Sequence, residues 1–546
     1  MAAAYQYKLE DQMADATQAF LRARLYHSEL VDIYRYFMPW REPIVERAGT
    51  GGGRSEGAKR TDYLFDSTGP SSAFAFVANM KADWMPAFDE FFQLQNGPLY
   101  TGNDAADRNQ ALQAVTKALH ALLVPVRTRC DEMFADLFAG TGALLLSNGD
   151  KRAPIRGVAV PTREIALDVG PWGDVERWFW KRNYKAREIE QVWPKGNISD
   201  ALAAAIRKDR NADIAVTQYT YWDANDENFK LVVWTSETQP SDPPLWTETL
   251  QVTPWVTPRM FVVPGEAMGR GLAHLGLPNV KTLNKARELA LRAAAFALLG
   301  LWTRRNDGVF NPDTAVMAPG AMWKVGSNAT GGLGKSIERL DIPANFDVSS
   351  IIIQDEREQL RRVLLDDEMP ELADRVRSPT EIAGRMRRYD RNRGGATTRL
   401  ALELVTPMVQ RGVDIMAQRG MLPKNLSVDQ LLTEAVVSAP AAAAQRTDKL
   451  ERMVSYIQMV MGLFGPQAAA LAAKIEEIIP EMARYAGVEE RFIRRKTEAE
   501  HLKLLIDNAV QAAVEQERKA QKAAPKEPAP AEPPAPGQMY LNGAMN

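Results

Sequence analysis

The sequence predicts an α+β fold that is mainly helical, and three observations lead to this prediction. Apolar residues recur at three- and four-residue steps through several long segments, which is the period of a helix that buries one face. The centre of the chain is instead enriched in Thr, Tyr, Trp and Val between turn-forming residues, which is typical of strands. A length of 546 residues, 45% of them hydrophobic and 25% charged, is enough for a large core and for more than one domain.

The N-terminal part has the pattern of helices joined by a glycine-rich loop. Helical spacing predicts a helix over residues 5–38, which ends at Pro39. The segment Gly49–Arg54 predicts a flexible loop, and helical spacing resumes over residues 66–84. Residues 105–139 are predicted to form a further pair of helices.

After residue 139 the pattern becomes that of strands interrupted by Gly, Asn and Pro. Strand-like segments are Val175–Tyr184, Gln218–Trp234 and Leu245–Val263. The first of them contains the aromatic run Trp178–Trp180, which indicates packing of a strand in the core rather than stacking on nucleic-acid bases.

Two further helices bracket a turn-rich segment. Residues 278–300 have leucines and alanines at helical spacing, with proline at the predicted first turn, and their small side chains allow close packing. Residues 301–346 are turn-rich, with short strand candidates at 315–317 and 322–325. Helical spacing returns over residues 347–366.

The C-terminal part begins with a capping box, Ser378–Glu381, which predicts the start of a helix. That helix is expected to end at Gly420 and to kink at Gly394-Gly395, because each glycine costs about 1 kcal/mol relative to alanine. Helices are expected to continue to about residue 522. The Pro/Ala-rich residues 523–546 cannot form a core and are expected to be disordered.

Composition excludes several classes of protein. Cys130 is the only cysteine, so neither a disulfide nor a cysteine-based metal site forms within one chain, and assembly inside a cell is expected. Lysine and arginine total 67 against 69 acidic residues, which argues against dense neutralisation of phosphates and favours local or transient contact with DNA. The sequence has no signal-peptide layout and no apolar window of roughly 20 residues, so we expect a soluble protein without a membrane partner.

The candidate catalytic and cofactor motifs are incomplete. Ala329–Ser336 ends like a phosphate-binding loop, but Ala329 replaces its leading glycine and Pro343 prevents the long helix that must follow. The histidines are dispersed and lack metal-ligand spacing, which favours packing or surface roles; they are His27, His120, His274 and His501. We therefore predict no catalytic residue, no cofactor and no metal site.

Three charged clusters remain. The acidic runs Asp366-Asp367-Glu368 and Asp223, Asp226 and Glu227 have the residue types of a cation site, but a solvated charge run is the better interpretation. The basic residues Arg385, Arg387, Arg388, Arg391 and Arg393 are open to two interpretations: contact with DNA phosphates, or a solvated face that forms ion pairs between subunits.

A series of short motifs supports an identification by its order along residues 5–420. The motifs are Tyr63–Gly69, Ala78–Met80, Trp84–Pro86, Phe91–Leu94, Gly140–Ala143, Val160-Pro161 with Glu164, Pro258-Arg259, Gly269–Gly271, Leu283-Asn284, Ser378–Ile382, and Arg399-Leu400 with Glu403-Leu404 and Pro407. In this order they resemble the head-to-tail connecting proteins, or portal proteins, of T7-like short-tailed double-stranded-DNA bacteriophages. No one motif is decisive alone; their shared order makes the resemblance specific.

The resemblance implies a cyclic ring of twelve subunits around a central channel, each with wing, stem, clip and crown regions. By order along the chain, the regions are residues 1–277 (α+β wing), 278–300 and 347–366 (stem helices), 301–346 (clip), 367–378 (channel loop), 379–420 (kinked helix), 421–522 (helical crown) and 523–546 (disordered tail).

The resemblance also implies a function and its partners. A portal is expected to occupy one capsid vertex of the virion after assembly in the host cytoplasm, to pass DNA during packaging and ejection, and to support tail attachment. Its expected partners are other copies of itself, the terminase, tail adaptors, the major capsid and scaffolding proteins, and DNA without sequence specificity. The alternatives are another capsid or scaffolding subunit, or a packaging enzyme, which the incomplete motifs disfavour.

Two sets of residues follow from this assignment as candidates. The DNA-channel candidates carry mixed charges, which suits a lining along which DNA slides; they are Glu368, Glu371, Asp374, Arg375, Arg377, Arg385 and Arg388. The stem-packing and oligomerisation candidates are apolar residues of the first stem helix, namely Leu283, Ala290, Leu291, Ala294 and Leu298.

Overall fold

The structure is a computed structural model of the chain. It describes residues 7–41, 61–86, 90–97, 105–299, 301–304, 337–340, 346–366, 397–422, 433–437 and 452–460, and the single positions 462, 478 and 482. The chain divides into two compact units, residues 1–445 and 446–546. In the second unit residues 452–460 are helical.

Helices of the first unit follow the apolar periodicity closely. They are α1 Leu9–Phe37, α2 Thr68–Trp84, α3 Ala105–Ala139, α4 Ala186–Val192, α5 Asp200–Lys208, α6 Leu272–Leu299, α7 Phe346–Val363, α8 Thr397–Leu400 and α9 Thr406–Gln418. A π-helical turn, Ala401–Val405, joins α8 to α9. The helices predicted over residues 5–38, 66–84 and 347–366 are confirmed to within a few residues.

Three helix predictions are wrong, two of them at a proline. The third concerns the segment expected to be helical to about residue 522, in which Thr433–Val437 is a strand, because it pairs with Phe92–Asn96. Residues 105–139 form one helix rather than a pair, with Pro125 inside it. Helix α6 begins at Leu272, six residues before the predicted start, so Pro278 lies inside α6. An internal proline costs a helix about 3 kcal/mol, but apolar residues on both sides of each proline are buried on one stripe, and this burial outweighs the cost.

The strands confirm a mixed centre of the chain. They are β1 Phe92–Asn96, β2 Leu144–Asn148, β3 Ile155–Ala159, β4 Ile165–Val169, β5 Val175–Lys185, β6 Asp213–Asp223, β7 Asn228–Thr235, β8 Trp246–Leu250, β9 Trp255–Val256, β10 Leu301–Arg304, β11 Ile337–Leu340 and β12 Thr433–Val437. An antiparallel sheet has the order β4-β5-β6-β7-β8, and a second has the order β3-β2-β9. Antiparallel pairs form between β1 and β12 and between β10 and β11. The strand candidates at 315–317 and 322–325 lie outside the described residues.

Helix α1 packs across one face of the five-stranded sheet. Its contact face is made of small residues, including Ala16 and Ala19, which lie against Phe179 and Tyr219. The rings of Phe179 and Tyr219 stack at a centroid distance of 4.4 Å. Because alanine side chains are short, the helix axis can approach the aromatic face of the sheet closely.

The opposite face of β5 is buried under a second aromatic layer. Trp178 and Trp180 alternate with Phe179 along the strand, so they point away from α1. The indole N–H of Trp178 donates to Thr257 Oγ1 at 3.0 Å, and that of Trp180 donates to Glu164 Oε2 at 3.1 Å. The prediction that this aromatic run packs in the core is confirmed.

The buried carboxylate of Asp136 on α3 forms an ion pair and hydrogen bonds that link α3 to α1 and to the residues that follow α1. The side chain of Asp136 is fully buried and forms an ion pair with Arg41. It also accepts hydrogen bonds from the hydroxyl of Tyr34 at 3.0 Å and from the backbone N–H of Thr162 at 3.2 Å. A buried charge with this many donors is compensated only while all of them stay in place.

Candidate functional site at the paired helices α6 and α7

Helices α6 and α7 pack against each other in opposite directions. Gly276, near the start of α6, faces Leu360 and Leu364, near the end of α7. A Cβ atom at Gly276 would lie 2.8 Å from Leu364 Cδ2 and 3.4 Å from Leu360 Cδ1. The absence of a side chain at Gly276 therefore sets how closely the base of the pair can close.

The side chain of Asn284 on α6 binds the segment that precedes α2. Its Nδ2 donates to the carbonyl of Tyr63 at 2.9 Å, and its Oδ1 accepts from the backbone N–H of Phe65 at 2.7 Å. Asn284 is buried, so water does not reach its amide group, and these backbone groups supply the hydrogen bonds that the amide needs. The pair is thus tied to the N-terminal helices through backbone groups.

An ion pair ties the same segment to α7. Both Nε and Nη2 of Arg357 donate to Asp66 Oδ2, at 3.0 and 2.6 Å. The backbone N–H of Thr68 donates to Asp66 Oδ1 at 2.9 Å. Burial works against the charged form, but the hydrogen bonds from Thr68 and Arg357 hold the pKa of Asp66 below its usual value. Asp66 is therefore a charged anchor for α7.

Helix α7 ends in a fixed geometry. The N–H of Asp366 donates to the carbonyl of Arg361 at 2.9 Å, and the N–H of Leu365 donates to that of Arg362 at 3.2 Å, which is the Schellman pattern. Leu365 has φ of +54°, a left-handed conformation that favours glycine. The carboxylate of Asp366 then accepts a hydrogen bond from Ser72 on α2 at 2.6 Å. The chain consequently leaves α7 from an anchored point.

A second junction joins the segment around Arg259 to the π-helical turn. Glu403 in this turn accepts from Arg259 Nη2 at 2.6 Å and from the backbone N–H of Arg259 at 2.8 Å. Arg259 is buried, so this bidentate pair compensates its charge. The hydroxyl of Thr406 donates to the carbonyl of Ala401, five residues earlier, at 3.0 Å, as a π-helical turn allows.

A third junction is made by two glycine motifs. The N–H of Gly269 donates to Thr141 Oγ1 at 2.8 Å. Gly140 has φ of +139°, and a Cβ atom there would lie 2.2 Å from the carbonyl oxygen of Gly269. Motifs that follow one another along the sequence therefore meet in space at three places, across more than 100 residues in each case.

The helix pair also carries large apolar side chains that face solvent. Leu289 and Leu291 on α6 are 53% and 45% exposed, and Ile351 and Ile352 on α7 are 65% and 51% exposed. Successive residues of a helix point about 100° apart, so of the three consecutive isoleucines only Ile353 is buried. These four exposed residues, which helix geometry places on more than one side of the pair, are together called the outer apolar surface.

The predicted stem-packing residues have different environments. Leu283 is fully buried within its own chain, Ala290 and Ala294 are half-buried, and Leu291 is exposed. Leu298 lies in α6. The sequence prediction missed Leu289, Ile351 and Ile352. Their exposure depends on the packing of α6 against α7, which the sequence alone does not reveal.

The predicted DNA-channel residues lie outside the described residues. These are Glu368, Glu371, Asp374, Arg375, Arg377, Arg385 and Arg388. The same is true of Arg387, Arg391 and Arg393, of Asp367, of the loop-like segment Ala329–Ser336, of His501 and of the predicted kink at Gly394-Gly395. The predicted end of this helix is confirmed, because α9 ends at Gln418 and Gly420 has φ of +65°.

The described histidines serve packing and hydrogen bonding. His27 bonds the carbonyl of Ile165 at 3.0 Å. His120 stacks on Phe92 at 4.1 Å, and burial together with the nearby guanidinium of Arg127 lowers the pKa of His120 to about 4. The ring of His274 stacks on that of Tyr26 at a centroid distance of 5.4 Å. Packing roles are thus confirmed for these three residues.

Within the described part of the chain, no group of three or more His, Cys, Asp or Glu side chains is placed to hold a metal ion. In the acidic run at the turn from β6 to β7, the ammonium group of Lys230 pairs with Asp223, and with Asp226 at 2.6 Å, so a side chain compensates the charge. Of the helices described, none has the length and apolar character needed to cross a membrane.

Comparison with known proteins identifies a family. The family described as bacteriophage head to tail connecting protein matches residues 12–493. No curated protein matches the chain. Two solved structures are similar. The first is the virion of a native gene transfer agent (GTA) particle, with 10% identity and a TM-score of 0.31; the match covers 78% of this chain and 95% of that chain. The second is the neck of an empty GTA particle computed with C6 symmetry, with 11% identity and a TM-score of 0.31; the match covers 75% of this chain and 91% of that chain. Both TM-scores are low, so the assignment rests on the family match.

Proposed function

This chain belongs to the bacteriophage head to tail connecting protein family, and on that premise we propose that it is the portal subunit of a short-tailed phage. Twelve copies form a ring at one capsid vertex, through which double-stranded DNA enters during packaging and leaves during ejection. The family consists of structural proteins, which confirms the prediction that the chain is not an enzyme.

The observation that carries the ring proposal is the outer apolar surface beside a firmly anchored helix base. Asp66, Asn284 and Ser72 hold the base of the pair within one chain. A neighbour that covered these side chains, each 45–65% exposed, would supply roughly half of the 1.5–3 kcal/mol that complete burial of a leucine or isoleucine contributes. A cyclic ring needs two different complementary faces on each subunit, and two antiparallel helices offer one on each side.

In this proposal the regions keep their expected roles. Residues 1–277 form the wing, 278–300 and 347–366 the stem, 301–346 the clip, and 421–522 the crown. The ring docks the terminase during packaging and the tail adaptors afterwards, and it contacts the major capsid and scaffolding proteins. It is assembled in the host cytoplasm and becomes part of the virion.

The segment 367–378 is proposed to face the channel. It follows Asp366 directly, whose carboxylate is fixed by Ser72, so the segment starts from an anchored point. Its mixed charges, and the formal net charge of −2 for the whole chain, favour a weak contact along which DNA moves.

Replacing residues 367–378 with a short Gly/Ser linker should reduce packaging or retention of the genome. Normal packaging and retention would contradict the channel assignment.

The ring is tested by measuring the mass of the purified chain and imaging it by negative-stain microscopy. Twelve copies of 60.7 kDa predict a particle of about 728 kDa with a central hole. The variants Leu289→Glu and Ile352→Glu should shift this particle towards monomers, because a carboxylate cannot be buried unpaired between subunits. The matched control is Val192→Glu, which changes a 49% exposed residue away from the helix pair and should leave the rings intact. Rings that survive both stem variants would contradict the placement of the interface.

A further inference from the structure

The turn between β4 and β5 presents a tryptophan to solvent. Trp172 is 87% exposed, more than any other large hydrophobic side chain among the described residues. The turn that carries it is closed by hydrogen bonds from the N–H of Gly170 to the carbonyl of Asp174 at 2.8 Å and from the N–H of Gly173 to that of Gly170 at 3.0 Å. Gly173 has φ of +87°, which glycine adopts without strain. The indole is therefore held outwards on a constrained turn.

An exposed tryptophan on a constrained turn has the properties of an interface anchor. Tryptophan is enriched among the few residues that supply most of the binding energy of protein interfaces. A side chain on a short hydrogen-bonded turn loses little conformational freedom on binding, which lowers the cost of association. Within the part of the chain that the structure describes, Trp172 forms no aromatic-ring contact and no side-chain hydrogen bond.

An apolar groove lies between α1 and the face of the five-stranded sheet. Its volume is about 540 Å³, and Phe20, Leu21 and Trp234 are among the residues that line it. Leu21 is 61% exposed, and Leu25, one helical turn further, is 81% exposed. Pockets of about 300–1,000 Å³ are large enough to bury a group of drug size, so the groove has room for an indole ring.

The charges of the turn and of the groove are complementary. Arg24 and Lys181 line the groove, and neither forms an ion pair within the part of the chain that the structure describes. Asp174 and Glu176 follow Trp172 closely along the chain, and they too form no ion pair among the described residues. An acidic projection and a basic groove favour each other both on approach and in the bound state.

The two features cannot meet within one chain. Trp172 precedes the first residue of β5, Val175, and the groove begins on the same strand at Lys181. A strand rises about 3.3 Å per residue, so roughly 20 Å of the strand separates Val175 from Lys181. Trp172 therefore does not fill this groove of its own chain.

We propose that Trp172 of one subunit inserts into the groove between α1 and the five-stranded sheet of the next subunit. The inference rests on the proposed ring, because a ring needs two different faces on every copy, and a projection and a groove at different positions meet that need. Neighbouring subunits would then touch at two places: at the outer apolar surface, and where Trp172 of one subunit enters the groove of the next.

The proposal is tested by chemical crosslinking of the full-length chain. Trp172→Cys and Leu21→Cys are introduced into the same chain, and the protein is treated with a short bis-maleimide. This reagent tolerates more variation in distance than a disulfide, which requires Cα atoms about 4.4–6.8 Å apart. Native Cys130 is fully buried, and burial raises the pKa of its thiol to about 12, so it does not react while the chain is folded. Mass is measured before the crosslinker is added.

The double variant should give a ladder of crosslinked species on a denaturing gel, up to the size of the closed ring. A mixture of the two single variants should stop at dimers, because each chain then carries one reactive cysteine. Ala224→Cys replaces Trp172→Cys as the control, since Ala224 is exposed at the same end of the sheet in the turn between β6 and β7. It should give no ladder with Leu21→Cys.

The outcomes separate the two proposals. Rings of the expected mass that yield no ladder overturn the tryptophan contact and leave the ring proposal standing. An unaltered chain that stays monomeric before crosslinking refutes ring formation, and the tryptophan contact with it.

As a second measurement, Trp172→Ala should raise the concentration at which rings dissociate by at least about tenfold, as expected for loss of an interface anchor. An unchanged dissociation concentration contradicts the proposal even if the cysteine pair reacts.

Discussion

The helix–sheet body is the part of the chain made of α1–α3 and the sheets of strands β2–β9. It differs from the α6–α7 pair in how completely the polar and apolar side chains find partners within one chain. In the body, Asp136 has an ion pair and two further donors, and the aromatic residues of β5 are buried on both faces of the sheet. In the pair, the base is similarly satisfied, but Leu289 and Ile352 are about half exposed. The body thus contains what it needs to fold, whereas the pair offers surface that only another molecule can cover. Substitutions should therefore unfold the first region and disassemble the second.

The largest effect is expected from Asp136→Ala in the body. This change leaves the guanidinium of Arg41 and the hydroxyl of Tyr34 without their shared acceptor, and removing one partner of a buried pair costs about 3–5 kcal/mol. Urea denaturation measures the loss. The control is Asp131→Ala on the same helix, whose pair with Lys81 is about 40% exposed and should contribute at most about 1 kcal/mol. Equal losses in the two variants would contradict the role given to Asp136.

Stability of the body should also depend on pH through His120. Its Nε2–H donates to the carbonyl of Phe92 and its Nδ1 accepts from Arg127, so the ring is neutral in the folded state. The pKa is lowered to about 4 from an ordinary value of 6.5, so the unfolded chain binds more protons between these values. Stability is then fully present above pH 6.5 and falls as the pH drops towards 4, by at most about 3 kcal/mol.

The measurement is the free energy of unfolding of the wild type and of His120→Gln between pH 7 and pH 4. Other groups titrate in both chains, so the difference between the two profiles reports His120. The wild-type profile should fall more steeply in this window. Parallel profiles would show that His120 does not carry the dependence.

An intermediate effect is expected where the body meets the π-helical turn. Glu403→Ala leaves the buried guanidinium of Arg259 without its carboxylate, and because Glu403 is itself partly exposed we expect a loss of about 2–3 kcal/mol. Thermal unfolding compared with Glu190→Ala, an exposed residue on α4, isolates the contribution of the pair. No difference between the two would mean that water replaces Glu403 at no cost.

The smallest effect on folding, but a loss of assembly, is expected from Ala290→Trp and Ala294→Trp in α6. Both alanines are half-buried, so the added volume should cost the subunit about 1–3 kcal/mol or less while it prevents close approach of a neighbouring stem. Particle mass measures assembly and circular dichroism measures folding. Ala201→Trp on the exposed surface of α5 is the control. Intact rings from both α6 variants would place the stem contact elsewhere.

Much of the secondary structure could be predicted because helices and strands repeat their apolar residues at fixed periods. This holds for α1, α2 and α7 and for the strands around the aromatic run of β5. It fails at Pro125 and Pro278, where local preference predicts a break and burial of the flanking residues keeps the helix continuous. Local sequence signals report the conformation that a segment prefers in isolation. The free energy gained by tertiary burial can exceed the local cost of a different conformation by several kcal/mol.

The candidate site could be predicted only in part. The motifs and their order indicated the family, which the match over residues 12–493 confirms. They did not indicate that Asn284 holds the backbone at Phe65 or that Arg259 pairs with Glu403. Nor could the sequence distinguish Leu283, which is buried, from Leu289, which is exposed, since both are leucines in one amphipathic helix. The assignment of channel residues stays a prediction.

By itself, the sequence determined the mainly helical α+β character, the family, and the absence of complete catalytic motifs, because these depend on residue type and spacing along the chain. The tertiary structure alone decided which distant residues pair at Asp66, Arg259 and Thr141, and which apolar residues are left on the surface. The physical reason is that burial and hydrogen bonding depend on neighbours in space, and the chain brings those neighbours together from positions more than 100 residues apart.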